Sequence, residues 1–446
     1  MALKVGIVTE AFPAGTNPYT DEVPFPVDAG FSQDVKLVFI AGGRCTTLNA
    51  TNAQANTGFG FIASNNNGTN YKTGHASIYN ARAVTLSDVT SNNNSSEGPI
   101  PDSPVVAYNL AYTGFRLGLN TWGTASITWN QTTTQTSGRY LSHLHLGGDI
   151  EVDVVVVQFN GSETQHTTAH NLSGAPEVII CLSNIPSSMP DGNTVMSYGF
   201  WANGSQVCAG MSFTNAEDVS TVGQSSGGRV SDAYIAMGVS SVTGDVTTGF
   251  SINSVSASNV VMNASQTSNH DILLLLLRGT TAPITAKVGV HTAATGTGDA
   301  NLGANLGVAA QVLMMVPTRV PAVNTSYDKA DGDQAGFLGI QTSCNRSGTP
   351  TTQYGGATQS SDPGATTTVT NTWHTDAAAL MVRTPSNGAD AAATVSNWGS
   401  VSTDVVLNYS DGAAAAYKIP YLVFGTAAAG GIMHRGFQDM SGNLRG

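Results

Sequence analysis

Two histidines placed two residues apart are the strongest metal-ligand candidates in this sequence. His143 and His145 lie in LSHLHLGGD, where a strand would point both to one face, and Asp149 follows on the same parity. Imidazole and carboxylate groups on one face are a starting geometry for zinc or another transition metal. The alternative is a polar strand face or a subunit contact. Because two later segments of similar pattern, ILLLLLRG and KIPYLVFG, contain no histidine pair, we predict no metal and no cofactor.

Other titratable residues lack the setting that their chemistry requires. His166 and His170 would be i, i+4 partners on a helix, but the Thr-rich sequence around them does not favour a helix. The acidic residues occur in turn-like segments, and none form a pair spaced like the two carboxylates of a glycosidase. DKADGDQAG resembles a calcium loop but lacks the pattern and final Glu of an EF-hand. The acidic residues of these turn-like segments are Glu10, Asp21, Glu22, Asp328, Asp331 and Asp333.

One segment, GQSSG, matches the GxSxG motif of hydrolases and would make Ser225 a nucleophile. That motif needs a buried strand before it and a helix after it. Neither AEDVSTV nor GGRVSDAY supplies them, so we predict a turn at Ser225. No Walker-type phosphate loop is present, and LGANLG at Leu302 lacks the strand–helix setting of a dinucleotide loop. We therefore predict no catalytic residue and no enzymatic activity.

The composition favours a multidomain globular protein with an uncharged polar surface. A chain of 446 residues corresponds to about three domains. Charged residues make up only 10%, against roughly 25% in ordinary soluble domains, while 41% hydrophobic content excludes a disordered chain. The net charge is −12 and the 17 Lys and Arg form no stripe, so we predict no nucleic-acid binding.

The cysteines and tryptophans are better explained by burial than by chemistry. The cysteines form no CxxC pair, and we predict free buried thiols. The tryptophans are candidates for stacking on sugars, but core packing is the simpler explanation. These residues are Cys45, Cys181, Cys208 and Cys344, and Trp122, Trp201, Trp373 and Trp398.

The N-terminal sequence MALKVGIVTEAF lacks the pattern of a secretory signal. The longest apolar run, Ile272 to Leu277, is far shorter than the ~20 residues that span a bilayer. We therefore expect synthesis in a cytoplasm and no membrane insertion.

Four sequence landmarks recur three times in the same order. Each set has an opening strand, a continuously apolar strand, a Gly-aromatic strand and a closing strand. The segments KVGI at Lys4 and KVGV at Lys287 are the clearest match between opening strands. The opening strands begin at Leu3, Glu151 and Thr285, the apolar strands at Val35, Pro176 and Ala310, the Gly-aromatic strands at Gly58, Tyr198 and Gly336, and the closing strands end at Gly148, Gly279 and Gly425.

The landmarks predict an all-β fold of three tandem, diverged, jelly-roll-like β-sandwich units. Segments 90–104 and 342–372 are predicted to be long polar loops. Because few lysines are available to protect sheet edges, we expect neighbouring units or other chains to cover them. The predicted units are residues 1–150, 151–283 and 284–426, followed by a C-terminal tail, 427–446.

The order of the landmarks resembles a repeat of uncharacterised proteins from the structural gene clusters of tailed phages. In that repeat, a Gly-Phe segment and an apolar strand precede a GFGFA-like strand and a Y-x-ALGG-like strand. The matching segments here are Gly30 and Phe31 with Val35–Gly43, Gly58–Ala63 and Tyr140–Gly148. The resemblance spans nearly the whole chain, more loosely in the second and third units. It implies a virion structural protein and transfers no catalytic residue.

Two functional hypotheses follow. The first is a non-enzymatic virion component, made in the host cytoplasm and acting as a homo-oligomer with other virion proteins. It would be a tail-associated fibre or tip protein, or a capsid or collar decoration. The second is a carbohydrate-binding adhesin or glycan-degrading tailspike, whose partner is a host surface glycan. We also predict that the tail, 427–446, lies at an inter-subunit contact.

Overall fold

The computed structural model shows an all-β protein, which confirms the predicted fold class. In the part of the chain that it describes, every regular element is a strand, and no helix is long and apolar enough to cross a membrane. The described residues are 3–12, 14, 19–25, 34–43, 45–53, 55–64, 71–80, 89–98, 106–109, 116–131, 139–184, 188–189, 193–214, 225–240, 243–267, 269–327, 337–347, 351–362, 369–383, 389–400 and 402–426.

The strands are divided here into three strand groups by their order along the chain. The first group contains β1 (Leu3–Phe12), β2 (Tyr19–Pro24), β3 (Val35–Gly43), β4 (Thr51–Ala53), β5 (Ala55–Ala63), β6 (Tyr71–Asn80), β7 (Val89–Gly98), β8 (Val106–Asn109), β9 (Arg116–Trp122), β10 (Ser126–Gln131) and β11 (Arg139–Gly148). The second contains β12 (Ile150–Gln158), β13 (Gln165–Ala169), β14 (Val178–Asn184), β15 (Ser188–Met189), β16 (Asn193–Ala202), β17 (Ser205–Thr214), β18 (Ser225–Ser231), β19 (Ala236–Val239), β20 (Val246–Val255), β21 (Asn259–Ala264) and β22 (Asp271–Gly279). The third contains β23 (Ile284–Thr292), β24 (Gly298–Asn301), β25 (Val312–Met315), β26 (Phe337–Asn345), β27 (Thr352–Asp362), β28 (Val369–Thr375), β29 (Leu380–Arg383), β30 (Ala389–Trp398), β31 (Val405–Asp411) and β32 (Lys418–Thr426).

Each strand group forms one large and one four-stranded sheet, with the same strand order. In each group the first strand pairs with the last, and the second pairs with the penultimate. The two ends of each group therefore lie side by side, as in a jelly roll. The strands between them form two meanders. The large sheets are β1-β11-β3-β5-β6-β7-β15, β12-β22-β14-β16-β17-β18 and β23-β32-β25-β26-β27-β28-β4, and the small sheets are β2-β10-β9-β8, β13-β21-β20-β19 and β24-β31-β30-β29.

The four sequence landmarks are adjacent strands of the large sheets. Their order is opening, closing, apolar and Gly-aromatic strand in every group. The two KVG segments also share a pairing pattern: Val5 pairs with Leu146, and Val288 pairs with Leu422. These strands are apolar on both faces because each large sheet is covered on both sides. In β12, Val152 and Val154 face one core, while the alternate residue Val155 faces another.

One apolar core is shared by the three large sheets. It contains Phe59 of the first group, Tyr198 of the second and Phe424 of the third, all less than 1% exposed. The other face of each large sheet packs on the small sheet of its own group, around Trp129, Phe250 and Tyr409, respectively. Burying a large apolar side chain contributes roughly 1.5–3 kcal/mol, so the shared core binds the groups together. The unit boundaries stay a prediction, because strands also cross between groups.

A short segment of each group, here called a strap, pairs with the outer edge of the preceding group's large sheet. Strap β15 of the second group pairs with β7, and strap β4 of the first group pairs with β28 of the third. The third strap, residues 323–327, bridges β18 of the second group through Val323 with Val230 and Tyr327 with Gly228. In every group the strap lies between the apolar and the Gly-aromatic strand. The three groups therefore close into a ring.

The opposite edge of each large sheet, its first strand, is covered by side chains from the preceding group. Lys72 Nζ of the first group donates to Val154 O of β12, at 3.3 Å. Asn203 Nδ2 of the second group donates to Ala286 O of β23, at 2.8 Å. Gln353 Oε1 of the third group accepts from Ile7 N of β1, at 2.9 Å. We call these contacts the first seam, the second seam and the closing seam. Neighbouring groups thus cover both edges, as edge protection requires.

Two segments predicted to be loops are strands. Most of 342–372 belongs to β26, β27 and β28, and much of 90–104 belongs to β7. Two polar side chains of 342–372 are hydrogen-bonded within the fold: Thr342 Oγ1 donates to Gly355 O at 2.7 Å, and Thr352 Oγ1 accepts from Trp398 Nε1 at 2.9 Å. Polarity therefore did not indicate a loop in this segment, and neighbouring strands decided the conformation.

Candidate functional site

The two predicted metal-ligand candidates lie inside the first group's two-sheet core. His143 and His145 are fully buried on the same face of β11, with ring centroids 6.3 Å apart. Aromatic rings surround them: Trp129 stacks at 6.0 Å from His143, and Phe25 meets His145 edge-on at 5.4 Å. The pair is therefore neither a polar strand face nor a subunit contact, and apolar packing is its observed role.

Burial keeps both imidazoles neutral. Desolvation lowers the pKa of His145 to about 3, and it holds the pKa of His143 well below its ordinary value. Asp149 follows Gly148, whose φ of 77° ends the regular alternation of β11. Across the described residues, no three His, Cys, Asp or Glu side chains are grouped as a metal would require. The candidates do not fit a metal site.

The second histidine pair is separated by its contacts. His166 lies on β13, and its Nδ1 is 2.8 Å from Glu163 Oε1. His170 follows the strand, with Nε2 3.1 Å from Ser256 O and Nδ1 accepting from Leu172 N. Each imidazole is hydrogen-bonded to residues of a different segment, so the two histidines do not form a shared site.

The acids predicted to lie in turns are partly in strands. Glu10 belongs to β1, and Asp21 and Glu22 belong to β2, where strand pairing with β11 and β10 determines the backbone. Asp328, Asp331 and Asp333 lie outside the described residues.

The hydrolase-like motif has the wrong structural setting. Ser225 is the first residue of β18 and pairs with Thr214, so the predicted turn is wrong at this position. Pairing with β17 extends the chain there, although its Gly- and Ser-rich sequence is typical of turns. The segment from Leu302 to Gly307 is irregular, with φ of 72° at Gly303 and 69° at Gly307.

The predicted core roles of the cysteines and tryptophans agree with the structure. All four cysteines are buried thiols that form no disulfide bond, and desolvation raises the pKa of Cys344 to about 12. Trp201 and Trp373 are buried in two-sheet cores, at 7% and 2% exposure. Trp122 and Trp398 are partly buried against such cores. Packing in a core is thus the described role of the cysteines, Trp201 and Trp373, whereas Trp122 and Trp398 lie at the margins of cores and remain partly exposed.

A serine–histidine pair that the sequence did not reveal lies at the closing seam. Ser142 Oγ is 2.7 Å from His374 Nε2 and 2.8 Å from Thr9 Oγ1. A hydroxyl this close to an imidazole is the geometry of an activated nucleophile. Ser142 and His374 are 1% and 0% exposed, however, and Gly355 packs directly against Ser142. The pair therefore joins two groups and has no access for a substrate.

A second polar cluster stabilises the base of the third strap. Arg319 Nε and Tyr417 Oη each lie 2.9 Å from Asp390 Oδ2, and Asp390 Oδ1 accepts from Ala414 N. These three side chains are less than 10% exposed. Because both carboxylate oxygens are satisfied, the cluster is a hydrogen-bonded buried ion pair with a structural role.

A surface groove of about 290 Å³ lies at the second seam. Its polar groups include Asn203, Ser205, Lys287 and Asn305, and its apolar groups include Leu306. Lys287 Nζ donates to Gly303 O at 2.6 Å. The groove could accept a small polar molecule through amide, hydroxyl and ammonium groups.

No protein-family model matches this chain, and no curated protein matches it in sequence. The resemblance to the tailed-phage repeat therefore stays a prediction.

Proposed function

We propose that this chain is a non-enzymatic structural protein of a tailed-phage particle. It is an exposed tail-associated fibre or tip component, or a capsid or collar decoration, and other virion proteins are its partners. The homo-oligomer expected from the sequence is retained only as assembly of several copies on the particle, because the three strand groups already pair with one another within one chain. Its support is the closed ring of three strand groups around one core, in which both edges of every large sheet are covered.

The placement of the reactive side chains supports a structural role. His143, His145, Ser142 and His374 are all buried, and each contributes to packing or to a seam. Side chains buried in this way are not accessible to a substrate. Rigidity, in contrast, follows from the shared core and the covered edges.

Mass spectrometry of purified particles tests the proposal. We expect peptides of this chain to co-purify with intact particles through a density gradient. Their absence from particles, with the chain free in the lysate, would overturn the virion assignment. Release of reducing sugars from host polysaccharide by the purified chain would overturn the non-enzymatic assignment.

The groove at the second seam favours the alternative, recognition of a host surface glycan. Its amide, hydroxyl and ammonium groups are suited to hydrogen bonds with a sugar. Lys287→Gln should then weaken binding to isolated host polysaccharide at least tenfold. Lys418→Gln is the matched control, because Lys418 likewise donates one hydrogen bond, to Thr292 at 2.8 Å, away from the groove. Equal binding by both variants would argue against the groove.

A further inference from the structure

The ring has three seams of the same design, and this repetition has a consequence for how the chain binds partners. We infer that one chain is a complete three-fold body and docks as a single copy on a partner assembly with three-fold symmetry. The inference rests on the proposed function only for the source of the partner, a virion. The ring itself is a property of the isolated chain.

The three straps close the ring within one chain. Each strap pairs with the preceding group's large sheet, so the order of pairing is second to first, third to second and first to third. A homotrimer of single-group chains would make these exchanges between subunits. Here they occur within one chain, and each of the three described straps is already paired with a strand of the preceding group.

The junctions between successive strand groups are alike as well. Only Asp149 lies between β11 and β12, and residues 280–283 lie between β22 and β23. The end of β32 and the start of β1 meet in the corresponding place without a covalent link, where Leu3 N donates to Thr426 Oγ1 at 3.3 Å. The three junctions are therefore alike in position, and the third group returns to the start of the first.

The outer faces of the small sheets show which contacts such a body offers. Each face carries a pair of polar side chains that are hydrogen-bonded across neighbouring strands. The pairs are Asn130 with Asn120 at 3.3 Å, Gln165 with Asn263 at 2.9 Å, and Asn408 with Asp299 at 2.7 Å. Five of these six side chains are uncharged, so the fitting partner presents an uncharged, hydrogen-bonding surface to each of the three small sheets. Contacts of this kind depend little on salt.

Native mass spectrometry of the purified chain gives the first test. We expect the mass of one chain at micromolar concentration. A stable homotrimer would overturn the inference, because three-fold symmetry would then need three copies.

A circular permutant tests whether the three junctions are equivalent. It begins at Ala282, runs through Gly446 directly into Met1 and ends at Thr281, which opens the second junction. We expect a folded monomer whose melting temperature lies within a few degrees of the parent. A control permutant that opens β14 at Cys181 should fail to fold. An unfolded first permutant would overturn the equivalence of the junctions.

The copy number on particles tests the partner. Cross-linking identifies the subunit that this chain contacts, and quantitative mass spectrometry should give one chain for every three such subunits. The chain should stay bound in a 1 M NaCl wash. A ratio of one to one, or release by salt, would overturn the docking inference. Absence of the chain from particles would instead overturn the proposed function, and the native mass would then still test whether one chain forms the three-fold body.

Discussion

The first seam and the closing seam cover the same kind of strand edge by different chemistry. At the first seam, β11 leads into β12 through one residue, and the contact is ionic: Lys72 Nζ is 2.9 Å from Asp153 Oδ1. At the closing seam, no covalent link joins the groups, and neutral side chains bind the backbone of β1. These contacts are Gln311 Nε2 to Leu3 O, Val5 N to Ser347 Oγ, and Ile7 N to Gln353 Oε1.

The described contacts of the two seams therefore differ in kind. At the first seam, Asp149 tethers the strands and Lys72 supplies an ion pair and one hydrogen bond to β12. Where the tether is missing, several hydrogen bonds fix the register of β1. The two seams should therefore respond differently to mutation, pH and local unfolding.

Breaking the ion pair of the first seam should have the largest effect. Lys72→Met leaves the Asp153 carboxylate, which is 4% exposed, without its cation. Removing one partner of a buried ion pair costs about 3–5 kcal/mol, although the 22% exposure of Lys72 places the expected loss near the lower end. Urea unfolding measures it.

Lys4→Met is the matched control, because Lys4 pairs with the more exposed Asp34. Such a surface pair contributes about 0–1 kcal/mol. The double variant Lys72→Met with Asp153→Met should recover part of the loss, since it leaves no buried charge unpaired. Equal effects of the two lysine variants would contradict the ionic account of the first seam.

Acid should weaken the closing seam before the first seam. Burial lowers the pKa of His374 to about 4, against 6.5 for an ordinary histidine. Between pH 6.5 and 4 the unfolded chain therefore binds the proton and the folded chain does not, so stability falls as the pH drops. The loss is about 1.4 kcal/mol per pH unit, or roughly 3 kcal/mol at pH 4.

Hydrogen exchange at pH 7, 5.5 and 4 measures this response by region. Amides of β1 should lose protection as the pH falls, whereas amides of β12 should change less. His374→Gln should reduce the slope of the unfolding free energy against pH by the contribution of one histidine, about 1.4 kcal/mol per pH unit between pH 4 and 6.5. His143, His145 and His291 have lowered pKa values from burial and remain in that variant. An unchanged slope in the variant would exclude His374 as a source of acid lability.

Removing a bridging side chain at the closing seam should cost less. Gln311 joins the first described strand to the last: its Nε2 donates to Leu3 O at 2.9 Å, and its Oε1 accepts from Thr426 N at 3.0 Å. Each hydrogen bond contributes about 0.5–1.5 kcal/mol, so Gln311→Ala should lose about 2 kcal/mol. Gln206→Ala is a control, because Gln206 makes two comparable hydrogen bonds within the second group, to Ala233 O and from Ile252 N. Both should lose stability, but only Gln311→Ala should increase exchange at β1.

The sequence predicted the parts of this fold that follow from local pattern. The alternation of Val152 and Val154 and the apolar run from Val35 indicated strands, and the landmarks turned out to be neighbouring strands. The straps had no such signal, because β4 and β15 are three and two residues long and owe their pairing to the edges that they meet. Ser142 and His374 are 232 residues apart, so only the closed ring brings them together. His143 and His145 were correctly placed on one face, but the pattern could not show that this face is buried.

The smallest expected effect concerns the apolar core behind the first seam. Unlike the substitutions above, this one should raise the free energy of unfolding. Tyr198 packs edge-on against Phe59 across the seam at 5.0 Å, and its hydroxyl has no hydrogen-bond partner among the described residues. Burial of an unsatisfied hydroxyl is unfavourable, so Tyr198→Phe should stabilise the protein by about 1 kcal/mol. Tyr417→Phe is the matched control and should lose about 1 kcal/mol, because the hydroxyl of Tyr417 donates to Asp390 Oδ2 at 2.9 Å. Thermal and urea unfolding of both variants measure the two signs; a loss in Tyr198→Phe would mean that its hydroxyl is satisfied within the core.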